Sequence, residues 1–296
     1  MLQGDAEAVD ALLEHPDVAG VSFVGSTPIA RHVYETGTRA GKRVQALGGA
    51  KNHRVVLPDA EVAAAADAAV SAAYGSAGER CMAISVLVAV GDIADPLIDA
   101  IAERIPAVVV GAGDDPASEM GPLITEQHRD RVRSYVEGAA GDGARVVVDG
   151  TAAEGIPDAG FFLGCTLLDD VRPGMRVYDD EIFGPVLGVV RVASLDEALE
   201  LVNANPYGNG VAIFTRDGGL ARRFTRAVQV GMIGVNVPIP VPVGWHSFGG
   251  WKASLFGDAP MYGAEGIRFC TRPKVVTSRW PETATSRVAL QFPSNS

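Results

Sequence analysis

From residue 84 to residue 235 the chain alternates short apolar runs with longer helix-patterned stretches, and this alternation constrains the fold more than any other feature. Strand-like runs are expected at 84–90, 107–110, 145–148, 211–214 and 232–235. Between them, apolar residues recur at helical spacing over 95–104, 126–140, 195–203 and 219–228. Repeated βα units of this kind place helices on the faces of a mostly parallel sheet. The run at 84–90 (ISVLVAV) is almost wholly apolar and reads as a buried strand.

The first part of the chain has the same pattern. A helix is expected over 5–15 with Asp5 as its N-cap, a strand over 18–24, and a helix over 27–40 with Pro28 in its first turn. Strands at 42–47 and 54–57 flank a Gly-rich turn. The strongest helix by propensity is 60–77, because alanine dominates it. From 238 to 263 the chain is rich in Pro, Gly and aromatics and lacks periodicity. That stretch is expected to be an ordered loop over a site, since Trp245, Phe248 and Trp251 are costly to leave in water. The tail from Pro281 is expected to fray or to pack on a partner.

Of the 296 residues, 47% are hydrophobic, enough for a sizeable core. A net charge of −11 argues against a nucleic-acid or anionic-membrane surface. No run is long and apolar enough to cross a bilayer, and no signal peptide opens the chain. Cys81, Cys165 and Cys270 are too sparse for a disulfide framework, and the CxxC spacing of a metal or redox site is absent. No metal is expected, and a reducing cytosol is the natural compartment. Cys165 and Cys270 lie in strand-like surroundings and are expected to be buried thiols without function.

Four segments bring together residues suited to chemistry. Cys81 lies in 73–83 (AYGSAGERCMA), between the Ala-rich helix and the buried strand. A partly accessible, deprotonated thiol is a strong nucleophile. Arg80 beside it supplies charge that could lower the thiol's pKa, or a fork for a substrate carboxylate. Residues 23–27 (FVGST) form a strand-to-helix turn. Gly25 there permits close backbone approach, and the helix N-terminus behind Ser26 offers N–H donors to a phosphate. Residues 47–53 (LGGAKNH) form a second turn, in which Lys51 and His53 read as turn and surface residues without catalysis. Residues 181–186 (EIFGPV) begin with Glu181, whose acceptor-only carboxylate suits a ribose diol.

In this order and at this spacing the segments resemble those of the aldehyde dehydrogenase superfamily, and the resemblance covers essentially the whole chain. It implies that Cys81 attacks an aldehyde, giving a thiohemiacetal that loses hydride to NAD and leaves a thioester. By the same resemblance, Gly25 and Ser26 would hold the NAD pyrophosphate, with Gly48 close to the nicotinamide end. Glu181 would bind the nicotinamide ribose and Phe183 would pack beside the ring. Phe248, in 247–252 (SFGGWK), would wall the aldehyde pocket. Hydrolytic members carry a glutamate base at the position of Leu47. Leucine cannot take a proton, and general base catalysis is typically worth about 10²–10⁴-fold. The acyl-enzyme is therefore expected to wait for another acceptor, the thiol of coenzyme A. Residues 42–53 and 80–83 (RCMA) are similar to the CoA-acylating branch that acts on methylmalonate and malonate semialdehydes, yielding propionyl-CoA or acetyl-CoA.

The resemblance implies an α/β, aldehyde-dehydrogenase-like fold: a parallel sheet with flanking helices and an incomplete NAD-binding domain. Residues 1–48 would be the remainder of that domain, 49–255 the catalytic domain and 256–296 a C-terminal arm. Family chains carry a further N-terminal portion that includes an oxyanion-hole asparagine. Two other readings therefore stand beside the dehydrogenase: a non-catalytic fragment, and a cysteine esterase that needs no NAD. The partners implied are a small semialdehyde and CoA, with homo-oligomers for a complete chain.

Overall fold

The structure, a computed structural model, describes residues 3–278 and 280. The chain runs through α1 (Ala6–Glu14), β1 (Gly20–Val24), α2 (Thr27–Arg39), β2 (Arg43–Leu47), β3 (Asn52–Val56), α3 (Val62–Tyr74) and β4 (Ile84–Val90). Next come α4 (Ala94–Arg104), α5 (Glu126–Ala139), β5 (Arg145–Val148), β6 (Thr166–Asp169), α6 (Arg176–Asp179) and β7 (Val186–Val192). It continues through α7 (Leu195–Ala204), β8 (Tyr207–Gly208), β9 (Gly210–Phe214), α8 (Gly218–Ala227) and β10 (Met232–Val235). Strands β11 (Trp251–Lys252) and β12 (Leu255–Phe256) and helix α9 (Gly263–Cys270) complete it.

A seven-stranded sheet in the order β10-β9-β3-β4-β7-β6-β5 forms the main body. Its strand pairs are parallel except β5 with β6. The apolar run of β4 lies at the centre between β3 and β7, with Val86, Leu87, Val88 and Ala89 fully buried. Helices cover such strands on both faces, which is why the run has no polar side. α3 packs on α4 and β4 through Ala65, Ala66, Ala69, Ala72 and Ala73, all buried. Small side chains let the helix come close, and Glu61 caps it by accepting from the N–H groups of Ala63 and Ala64.

A smaller sheet, β1-β2-β12, has β1 and β2 parallel and β12 antiparallel to β2. Leu13, Ala30, Val33, Val44 and Ala46 form a separate apolar cluster there. The expected boundary at 48/49 falls between the two sheets, and the one at 255/256 falls inside β12.

Several expectations are corrected. The Ala-rich helix ends at Tyr74 rather than 77, because Ser76 and Ala77 take positive φ of 54° in the turn leading to Cys81. Residues 107–110 form no strand beyond a single bridge from Val110 to Met120, after a short 3-10 turn over Ile105–Ala107. Asp5 precedes α1 but its side chain makes no capping bond. Cys270 is not buried in a strand: it ends the surface helix α9, none of whose residues is buried. Cys165 is buried as expected. The loop after β10 is held by its own turns, yet Trp245 is 74% and Trp251 54% exposed, so burial of these rings does not order it. The tail from Pro281 lies outside the described residues. No helix among the described residues is long and apolar enough to cross a membrane.

Leu87 is fully buried in the middle of β4, so Leu87→Ala is expected to cost about 2–5 kcal/mol, the usual range for a core cavity. Denaturant melts of the two chains measure it.

Candidate active site

The turn that follows α3 brings Cys81 to its place. Ser76 and Ala77 at φ 54° and Gly78 at φ 71° reverse the chain in three residues. A Cβ on Gly78 would lie 2.1 Å from the carbonyl oxygen of Gly184, so only glycine lets this turn touch the segment after Glu181. Cys81 follows, a residue exposed as a whole whose thiol sits partly shielded in the recess described below.

The backbone of Cys81 is fixed by two asparagines. Asn52 Nδ2 donates to the carbonyl oxygens of Cys81 (2.9 Å) and Ala83 (2.8 Å), while its Oδ1 accepts from the N–H of Gly210 (2.9 Å). Asn209 Nδ2 also donates to the Cys81 carbonyl, at 3.0 Å, and lies 3.1 Å from Met82 Sδ. β3 and β9 are thereby tied to the thiol's loop by side-chain amides. Sequence reading assigned no role to either residue. Asn52 sits inside the 47–53 motif, but one buried amide leaves no periodic signal.

Cys81, Arg80, Glu181, Phe183, Ala50 and Asn52 line one narrow recess, with about 10 Å³ of free space. Burial pushes the Cys81 thiol up from its ordinary value, and the Glu181 carboxylate adds to the rise. Arg80 does not offset this. Its Nε donates to Ser76 Oγ at 3.0 Å, and the guanidinium lies against Gly75. It also lines a separate cleft of about 470 Å³ shared with Arg104 and Glu119. The expected depression of the thiol's pKa by Arg80 is therefore not found.

Glu181 turns its carboxylate onto the glycine-rich turn. Oε1 accepts from the N–H of Ala50 at 2.8 Å, and a Cβ on Gly49 would lie 2.2 Å from Oε2. Burial raises its pKa, against the pull of the Ala50 N–H and the Lys51 charge. Lys51 and His53 are both 2% exposed, not surface residues as expected, because β3, lying between β9 and β4, is buried along its whole length and Lys51 leads directly into it. Lys51 Nζ donates to the carbonyls of Val177 (2.8 Å) and Asp180 (2.7 Å), pinning the residues that lead into Glu181. Burial lowers the Lys51 pKa to about 8. His53 pairs with the Tyr178 hydroxyl at 3.1 Å, and burial lowers its pKa to about 3.

α2 meets the same turn from the other side. Thr27 Oγ1 accepts from the N–H of Gly49 at 2.9 Å, the Gly25 N–H donates to Leu47 O, and the Gly48 N–H donates to Ser254 O. The Ser26 side chain makes no capping bond, and Pro28 removes one N–H from the first turn of α2. Leu47, at the end of β2, is buried and apolar. Phe248 is not among the residues lining the Cys81 recess; its backbone pairs with Met261 and its ring lies 6.2 Å from that of Tyr262. The described residues contain no cluster of His, Cys, Asp and Glu able to hold a metal ion.

The chain belongs to the aldehyde dehydrogenase family, whose model matches residues 1–276. It is 54% identical to the malonate-semialdehyde dehydrogenase of Pseudomonas aeruginosa, covering 99% of this chain and 60% of that relative. Among solved structures it is similar to the methylmalonate-semialdehyde dehydrogenase (DddC) of Oceanimonas doudoroffii, with a TM-score of 0.92 and 53% identity over 95% of this chain and 58% of that one. A related Sinorhizobium meliloti 1021 chain complexed with NAD also superposes at 0.92, with 52% identity over 96% of this chain and 58% of that one. The chain thus spans about 60% of the length of the curated relatives it matches.

Two outcomes follow. Because burial and Glu181 both raise the thiol, alkylation of Cys81 should keep accelerating beyond the pH at which a free cysteine levels off. Glu181→Gln should move the inflection to lower pH, read from iodoacetamide rates at each pH. His53 takes a proton in the unfolded chain below about pH 6.5 but in the folded chain only near pH 3. Stability is therefore lost as pH falls through that window, and His53→Gln should flatten the acid slope in denaturant melts.

Proposed function

We propose that Cys81 is the nucleophile and acyl carrier in an NAD-dependent oxidation of malonate or methylmalonate semialdehyde that ends in acyl transfer to coenzyme A. The observation that carries this reading is the recess shared by Cys81, Arg80, Glu181 and Phe183, in a chain with apolar Leu47 where a general base would stand. Cys81 Sγ adds to the aldehyde carbon, and Arg80 grips the substrate carboxylate once its side chain leaves Ser76. NAD, when bound, would supply the hydride acceptor for forming a thioester on Cys81. Ser26 and the first turn of α2 would hold its phosphates, Glu181 would accept from the ribose hydroxyls, and Phe183 would lie beside the ring.

With Leu47 in place of a base, water is not activated against the thioester. The thiolate of coenzyme A then displaces Cys81, which leaves as thiolate and is ready for another cycle. The substrate's carboxylate leaves as CO₂, the electron pair of the broken C–C bond stays on the α-carbon as a thioester enolate and takes a proton from water, and the products are acetyl-CoA or propionyl-CoA. A raised thiol pKa suits the last step less than the first, because a basic thiolate is a strong nucleophile and a poor leaving group. A second reading, acyl transfer without NAD, is favoured by the thiol and its recess lying together on this chain.

Cys81→Ala is expected to abolish NADH formation from malonate semialdehyde, followed by nicotinamide absorbance, and to abolish acetyl-CoA, followed by mass spectrometry. NADH production that persists in the variant, or an unesterified acid formed at the same rate without CoA, overturns the reading. Cleavage of an activated ester that is lost on alkylating Cys81 and indifferent to NAD supports the second reading instead.

A further inference from the structure

The first turn of α5 meets both walls of the Cys81 recess. Thr125 caps the helix by accepting from the N–H of His128 at 3.1 Å, which fixes the backbone of His128 in the first turn. The imidazole Nε2 then lies 2.7 Å from the carbonyl oxygen of Phe183 and 3.5 Å from Glu79 Oε1. Glu79 belongs to the turn that carries Cys81, and Phe183 to the segment that carries Glu181. Glu79 Oε1 also faces the N–H of Ile124 at 3.4 Å, just before the helix begins.

Phe183 needs such support. Its φ of 61° is left-handed, a conformation costly for any residue with a side chain. The ring is 38% exposed and lies 6.3 Å from the His128 ring, so little packing holds it. One turn further along α5, Val132 fills the space where a Gly184 side chain would stand, with 2.7 Å left to such a Cβ. The helix thus rests on the backbone of 183–184 while its imidazole reaches the carboxylate of Glu79.

We propose that His128 is a positioning residue: its Nε2–H holds the Phe183 carbonyl beside the Glu79 carboxylate, clamping the 79–81 and 181–184 segments together and setting the width of the Cys81 recess. The clamp acts on the geometry of the thiol and of Glu181 and touches no substrate. It rests on the recess being the working site. The test below needs neither NAD nor a semialdehyde, so a chain without dehydrogenase activity still reports on the clamp.

Two variants separate the donor from the bulk of the side chain. His128→Gln places an amide N–H close to the Nε2 position; His128→Asn places it short of Phe183, while remaining a polar residue suited to a first helical turn. Iodoacetamide labelling of Cys81 is measured by peptide mass spectrometry against exposed Cys270 in the same chain. Hydrogen exchange is followed in the 76–83 and 181–186 peptides. In His128→Asn, Cys81 should label about fivefold faster relative to Cys270, the scale of one net hydrogen bond, and both peptides should exchange faster together. In His128→Gln, labelling should stay within about twofold of the parent chain. The clamp is overturned if the Asn variant matches the parent, if only one peptide loosens, or if Gln behaves as Asn does.

Discussion

The geometry around the thiol depends on the side-chain amide of Asn52. Both protons and the oxygen of this one group are spent on three backbone groups in two pieces of chain: the carbonyls of Cys81 and Ala83 and the N–H of Gly210. Buried amides are costly when unpaired and specific when fully paired. Asn52 is 3% exposed, so one fully satisfied buried group, together with Asn209, ties the thiol's loop to β3 and the start of β9. A hydrophobic residue of the same size would fill the space and leave the Ala83 carbonyl and the Gly210 N–H without this partner, with the Cys81 carbonyl held by Asn209 alone.

The charges near the recess are arranged around that fixed point. Glu181 is held by the Ala50 N–H on one side, and the carbonyls just before it are held by Lys51 on the other. Lys51 donates to neutral carbonyls rather than to a carboxylate, so burial governs its titration and the lysine sits near pKa 8. Cys81 feels burial and a nearby negative charge, and Arg80 is turned towards Ser76. In this arrangement burial and Glu181 hold the thiol's pKa above its ordinary value. A cation or an anionic ligand that draws Arg80 forward changes that balance.

Much of the fold was legible because it rests on periodicity. The alternation after residue 84 gives the parallel strands β4, β9 and β10, and the Ala-rich stretch gives α3 to within a few residues. β6 and β7 were missed, although β7 is central, because the surrounding Gly, Pro and charged residues break any repeating pattern. The strand expected at 107–110 failed for the opposite reason: four apolar residues formed a pattern with no neighbouring strand to pair along their length. At the site, the order of the motifs brought Cys81, Glu181 and Phe183 to one recess, whereas Asn52, Asn209 and His128 act through single long-range bonds that no local pattern encodes. Lys51 and His53 were misjudged as surface residues because charge in a glycine-rich turn usually means solvent.

The contact between Gly78 and the Gly184 carbonyl also limits how this protein can change. At position 78 any side chain would need both a left-handed backbone and space already filled by another segment's peptide group. A substitution there is not rescued by trimming a neighbouring side chain, since the obstacle is main chain. Sequence drift in the thiol's turn and in the 184–185 segment is therefore coupled: one can move only if the other moves at the same step. Random mutagenesis of this chain would find position 78 closed to single changes, and the neighbouring Arg80 side chain open.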